Sequence, residues 1–293
     1  MKLLTKFNLI LLAVFGVAAL AISTIAYFFL VDNARGQVLA DAKLMMASAT
    51  SMRGYTTTDV APLLAKNPDH DSRFLPETVP AFAATKIFSD LRKTYPDYVY
   101  REATLNPTNL ADRATDWEAD VIGDLRAHPA LTSIVGEREG ATERQLYLAV
   151  PLKAGADCMQ CHSTPAVAPA AMIRKYGSAN GFGWKLDETI GAQIISVPLS
   201  VPLEIAKEAH LRLSILLVIA LVLSVLVLDA GVYLFVLRPL RTVSENADRV
   251  SKGERNVPDL TVTGSDEIAV VTGAFQRMRL SLAKALKMLD DEA

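Results

Sequence analysis

Two cysteines among 293 residues are too few for a disulfide framework, because small stapled folds need several spaced pairs. Excess positive charge is missing as well. Thirty basic against 32 acidic residues leave a formal net charge of -2, with no polycationic run. Phosphate binding needs a basic surface, so this balance argues against a nucleic-acid partner. Nor is there an internal repeat or a low-complexity tract. What the chain has in quantity is apolar residues, 51% of the total with a mean hydropathy of +0.25. That is too apolar for a disordered chain, and the length is sufficient for two domains.

Phe7 to Val31 carries no charged residue and follows Lys2 and Lys6. About 20 apolar residues span a bilayer, so this segment can cross one. Ala19-Leu20-Ala21 has the small residues of a signal-peptide cleavage site, but the apolar run continues through Ile22, Ile25, Phe28, Phe29 and Leu30. An uncleaved anchor is therefore the better reading. Leu213 to Leu237 is a second such run, containing only Asp229 and bracketed by Arg212 and Arg238. Basic residues close to the membrane ends set orientation. Lys2 and Lys6 before the first span, with Arg238 and Arg241 after the second, place both termini in the cytoplasm. The expected organisation is an N-terminal anchor at 1–31, an extracytoplasmic domain at 32–211, a second span at 212–237 and a cytoplasmic module at 238–293. In a bacterium this is an inner-membrane protein with its middle domain in the periplasm. Asp229, ionisable inside a span, is a functional candidate. It falls on the seam that leads to Tyr233 and Val236, where a second copy would bring two such acids together; snorkelling to water is the alternative.

In the middle domain Arg35 to Tyr55 reads as a helix, with Val38, Met45 and Met52 on one stripe. Pro62, Pro68, Pro76 and Pro80 then break the chain, and helices are expected at Ala81 to Thr94 and Asp112 to His128. Period-two alternation predicts strands at Asp97 to Leu105, Gln145 to Leu152 and Ile190 to Leu199. The expected class is α+β. Cys158-Met159-Gln160-Cys161-His162 is the C-x-x-C-H attachment pattern of c-type haem, in which two thiols add to the porphyrin vinyl groups and the adjoining imidazole ligates iron. A redox dithiol and a zinc half-site are the rival readings. The first usually opens a helix in a βαβ unit, and the second needs further ligands.

Three blocks sharpen this: YVYREATLNPTNLADRATDW from Tyr98, CMQCHSTPAVAP from Cys158 and YGSANGFGWKLDETIGAQIISVPL from Tyr176. Together, over about Val38 to Leu203, the chain resembles the bacterial single c-type-haem, PAS-like sensor domain family, met in chemoreceptors, sensor kinases and stand-alone haem proteins. The resemblance implies a PAS-like fold, one covalent haem c with Cys158 and Cys161 as thioether anchors and His162 as axial ligand, and redox or small-ligand sensing. It also implies a distal Cys, Met or water ahead of the region matching Val79-Pro80. Here the chain has Phe74-Leu75-Pro76 and no third cysteine, so a thiolate is excluded. Met52 is the first choice, with His70 and Met46 as alternatives, and Met45, Met172, His128 and His210 are the remaining soft or imidazole donors. Tyr147, Trp117 and Trp184 are candidates for the porphyrin wall, and Arg53, Arg101 and Arg174 for its propionates.

Beyond the second span, Val236, Leu240, Val243, Ala247 and Val250, then Ile268, Val271, Phe275, Met278, Leu282, Ala285 and Leu289, follow coiled-coil spacing. Ser265-Asp266-Glu267 supplies an N-cap and acids between the two runs. With Pro239, Glu245 and the Asp266-Glu267 pair, Arg238 to Leu289 resembles the HAMP signal-relay family, which implies a homodimeric four-helix bundle. The expected function is a membrane-bound haem sensor, not an enzyme, relaying a conformational change to a separate cytoplasmic output protein, since no kinase, cyclase or chemoreceptor segment follows. The alternative is a membrane-anchored monohaem cytochrome carrying electrons for a respiratory or photosynthetic complex.

Overall fold

A computed structural model describes residues 3–67, 72–140, 143–254, 256–261 and 264–291. The first apolar run lies in one uninterrupted helix, α1 (Leu3–Tyr55), followed by a π-helical turn (Thr56–Val60) and α2 (Ala61–Leu64). Then come α3 (Pro80–Leu91), β1 (Val99–Thr104), α4 (Asp116–Ala127), β2 (Ile134–Glu139) and β3 (Arg144–Lys153). Two short helices, α5 (Ala156–His162) and α6 (Ala170–Tyr176), lead to β4 (Thr189–Pro198). The second apolar run is in α7 (Ser200–Gly231), joined by another π-helical turn (Val232–Leu237) to α8 (Arg238–Ser251), and α9 (Glu267–Asp291) closes the chain. Two stretches of helix are long and apolar enough to cross a membrane, Leu4–Leu64 and Ser200–Ser251. Each π turn ends two residues before a proline, Pro62 or Pro239. Proline has no N–H to give to the carbonyl four residues back and its ring crowds that carbonyl, so the helix widens there rather than continuing its i to i+4 ladder.

The chain divides into two compact units, Tyr27–His210 and the combination of Met1–Ala26 with Leu211–Ala293. The first is α+β, as expected. Its four strands form one antiparallel sheet in the order β1-β4-β3-β2. The expected strands are present. β2 is the one the alternation did not show, because IVGERE carries three charges and a glycine and only half buries itself at the sheet edge. α4 starts four residues later than expected. Thr115 and Glu118 form a capping box that satisfies the first backbone N–H groups, and the residues before it make a 3₁₀ turn instead.

Both faces of the sheet are covered, so each strand alternates between two apolar cores. On one face α1 and α3 bring Val38, Ala42, Met46, Ala49, Ala84 and Phe88 against Tyr100, Leu148, Ile195 and Val197. The buried stripe of α1 keeps Val38 of the expected one and then runs through Ala42, Met46 and Ala49, while Met45 and Met52 flank it. Alanines at the contact let the helix axis approach the strands, and the longer methionines fill the margins. On the other face α4 buries Val121, Ile122 and Leu125 against Ala103, Ala149, Ala192 and Ile194.

In the second unit the two apolar helices run antiparallel, joined by two polar contacts at equal intervals on both. Asn8 Nδ2 donates to Asp229 Oδ2 at 2.9 Å, and the Ser23 and Ser214 hydroxyls are 3.1 Å apart. Asp229 thus has a partner within its own chain, one that the sequence reading passed over. Between α8 and α9, Asn246, Ala269, Thr272 and Phe275 are buried. The connector is tied to α9: Arg279 bonds the Val257 carbonyl and pairs with Asp259, and Gln276 donates to the same carboxylate. A double-mutant cycle combining Asn8→Ala with Asp229→Ala is expected to show a coupling of about 0.6 kcal/mol and no more than about 1.7, the average and the upper end for hydrogen bonds between membrane helices. Unfolding of the detergent-solubilised chain measures it, and strictly additive effects would remove the bond from the account.

Candidate functional site

The cysteine motif lies on an excursion between β3 and β4. Its base is closed where Ala154 N donates to the Glu188 carbonyl and Asp187 N to the Ala154 carbonyl, both at 2.9 Å. Within it, α5 carries Cys158 and Cys161 one turn apart, on the same side of the helix, and ends at His162. Both thiols are free and half-buried. Burial, followed by the neighbouring Cys158, pushes the Cys161 thiol up from its ordinary value. A redox dithiol needs the opposite, a thiolate stabilised at a helix start or by a cation. The zinc reading is no better supported: among the described residues no group of three or more His, Cys, Asp or Glu side chains comes together as a metal site.

His162 is held from three sides. Its Nδ1 lies 2.7 Å from the Gly181 carbonyl, and a carbonyl only accepts, so Nδ1 carries the proton. The lone pair of the neutral ring is then on Nε2. Burial holds the imidazole below its usual pKa, against the opposing pull of the Gly181 bond, so the neutral form is favoured. Trp184 stacks on the ring, with centroids 3.9 Å apart and planes 12° from parallel. Thr108 Oγ1 stands 3.3 Å from the same Nδ1.

The clamp is assembled from two distant blocks of sequence. Asn106 Oδ1 accepts from Gly181 N at 3.3 Å, while Gly183 N and Trp184 N donate to the carbonyls of Ser163 and His162. Gly181 has φ +81°, and a Cβ there would lie 2.0 Å from Thr108 Oγ1 and 2.7 Å from Thr108 N. Only glycine fits. LNPTN and GFGWK are therefore the support of one imidazole. Sequence reasoning quoted both blocks, yet it singled out only Trp184. The pairing of an Asn-Pro turn with a Gly-x-Gly run was the available signal, but spacing alone does not say what they hold.

The other candidates are dispersed. Met46 is buried in the α1-side core and Met52 packs half-buried at its margin, while Met172 is buried on α6. His70, like Pro68, lies outside the described residues. His128 is exposed at the end of α4, bonded to the Asp124 carbonyl, and His210 stacks edge-on to Tyr27. Trp117 and Tyr147 lie together on the α4 side, with centroids 5.4 Å apart. Arg53 pairs with buried Glu102, Arg101 with Glu118, and Arg174 donates to the Ser72 carbonyl. A neutral imidazole with Nε2 free, beside two free thiols on one helical turn, is a donor set that fits a covalently attached porphyrin.

A family model described as Tll0287-like matches residues 31–198, more than half of the chain, and a HAMP domain model matches residues 232–284. Both agree with the resemblances read from the sequence. Among solved structures, the crystal structure of the cyanobacterial heme-protein Tll0287 is similar at 14% identity, covering 55% of this chain and 94% of that one with a TM-score of 0.43. No curated protein matches.

Glycine substitutions separate the clamp from ordinary loop effects. Gly181→Ala is expected to destabilise the domain by more than about 2 kcal/mol, from the left-handed backbone and the collision with Thr108. Gly155→Ala has nothing within 4 Å of the added Cβ. It is expected to change stability by less than about 1 kcal/mol. Chemical unfolding of the two variants in parallel checks the contrast.

Proposed function

The chain belongs to the Tll0287-like family, and from that premise we propose that it is a membrane-anchored haem sensor, with Cys158 and Cys161 as thioether anchors of one haem c and His162 Nε2 as the proximal iron ligand. The observation that carries this reading is the His162–Gly181 hydrogen bond, which leaves Nε2 as the one ring nitrogen free to ligate a metal. When bound, the haem supplies an iron that changes oxidation state or accepts a small ligand. The chain does the rest. Asn106, Gly181 and Trp184 orient the imidazole, and Met52 at the margin of the α1-side core is the first choice for the distal ligand.

In this reading residues 32–211 form the extracytoplasmic domain between two spans, and both termini are cytoplasmic. Movement of His162 is felt directly by the Gly183–Trp184 segment, which runs into β4, and β4 leads within two residues to α7. The π turn at Val232–Leu237 lies between that span and α8. Restoring its ladder from i+5 to i+4 would turn the following helix by roughly 100°, the rotation per residue of an α-helix. This is a two-state element of the kind a relay needs. On α9, Val271, Met278 and Leu282 are 47%, 60% and 45% exposed, an apolar stripe on the expected seam that a second copy would cover in a homodimer. The side chain of Leu289, farther along that seam, lies outside the described residues.

Two measurements test the proposal. Cys158→Ser with Cys161→Ser is expected to release the haem into acidified acetone, whereas the natural chain retains it; equal extraction would remove the covalent assignment. For signalling, cysteines introduced at Met278 or Leu282 are expected to crosslink between copies at rates that differ between the ferric and ferrous protein. Identical rates in both states, and with CO or NO added, would favour electron carriage over sensing.

A further inference from the structure

At the end of the sheet remote from α5, the α4-facing side opens into a cavity of about 180 Å³. Gln145 lines it near the start of β3, while the excursion bearing the cysteines leaves from the far end of that strand, about 26 Å away at the usual rise per residue. The strand register builds the wall. Arg138 of β2 stands opposite Gln145 of β3, and Ser196 of β4 is opposite Val99 of β1.

The charges on this wall do not cancel. Arg101 Nε lies 2.8 Å from Glu118 Oε1, the other oxygen of that buried carboxylate is occupied by Thr115, and Arg101 also donates to the Arg113 carbonyl, so the Arg101 and Glu118 charges compensate each other. The Arg138 guanidinium sits 4.2 Å above the Trp117 ring and has no carboxylate partner among the described residues. Gln145 and Ser196 are 8% and 4% exposed, and neither side chain makes a hydrogen bond among the described residues. Two polar side chains more than nine-tenths buried, aimed into a cavity beside an uncompensated cation, are groups that a ligand would satisfy.

We propose that this cavity is a second ligand site, separate from the Cys158–Cys161–His162 site, and that it takes a small monocarboxylate. Its volume of about 180 Å³ suits a small ligand. Arg138 receives the carboxylate, the Gln145 amide and the Ser196 hydroxyl donate to its oxygens, and the Trp117 and Ile194 side chains face its apolar end. Ser196 precedes the first residue of α7 by four positions, so occupancy bears on the strand that enters the second apolar helix.

Calorimetric titration of the full haem-loaded chain in detergent, at constant ionic strength, tests this with acetate, pyruvate, chloride and the neutral isostere acetamide. Saturable one-to-one binding of acetate or pyruvate is expected, with no binding of acetamide and no equal competition from chloride. Arg138→Gln is expected to weaken binding at least about tenfold, the effect of losing a hydrogen-bonded charge. Ser196→Ala is expected to weaken it a few-fold, with the visible haem spectrum unchanged in both. Should Arg138→Gln lower the unfolding midpoint without ligand, Ser196→Ala carries the comparison. Absence of saturable heat with either carboxylate, equal affinity for acetamide or chloride, or affinity untouched in both variants overturns the proposal.

Discussion

One hydrogen bond, from His162 Nδ1 to the Gly181 carbonyl, decides which face of the imidazole the rest of the chain meets. A neutral histidine has one proton to place, and the hydrogen bond made by one of its two distinct nitrogens sets which of them carries it. The choice here is made by backbone, which is more demanding than a side chain. For the Gly181 carbonyl to reach Nδ1, the chain passes through a left-handed conformation so close to Thr108 that no Cβ can be admitted. Asn106 then secures the Gly181 N–H, and stacking of Trp184 limits ring rotation. Each of these residues is explained by the tautomer it enforces, and none of them by the packing of the two cores.

The sheet gives that clamp a fixed base. β4 is buried along nearly its whole length and pairs with β1 on one side and β3 on the other. The excursion carrying α5 and α6 leaves β3 and rejoins β4 through a pair of backbone hydrogen bonds at its neck. Local events in the excursion are therefore referred to the most constrained strand of the domain, and that strand continues into α7. Close-packed interiors respond to a shift by changing between discrete packings rather than by bending, so a strand held on both faces is a better conductor of displacement than a surface loop.

Much of this architecture was legible because it rests on composition and period. The two apolar runs, the CMQCH pattern and the alternation of β1, β3 and β4 are local signals, and the α+β class follows from them. What was not legible depends on partners distant in sequence. β2 is an edge strand whose charges hide its alternation. Beyond Val38, the buried face of α1 follows where alanine permits contact, at Ala42 and Ala49, and leaves Met45 and Met52 at its margin. Asn8, polar in an apolar run, gave no sign of its partner until the second helix was placed beside it. Likewise Arg53 reads from the sequence as a candidate for the haem propionates, whereas it bonds Glu102, which also receives the Tyr100 hydroxyl at 2.7 Å in the core.

These buried polar pairs share a logic that stability alone does not supply. Taking charges out of water costs about as much as their attraction returns, so a buried ion pair is weak evidence of net stabilisation. Smooth contacts have the complementary defect. The faces that Ala42 and Ala49 offer the sheet bring elements close without saying how far along they should sit, and the same holds for two apolar helices side by side. Arg35 with Glu137 on β2, and Arg53 with Glu102 on β1, fix where α1 crosses the sheet, because sliding by one turn would leave buried Glu102 unpaired. Asn8 with Asp229 and Ser23 with Ser214 do this for the two apolar helices. Register between these elements is thus kept by the few polar side chains placed among apolar ones.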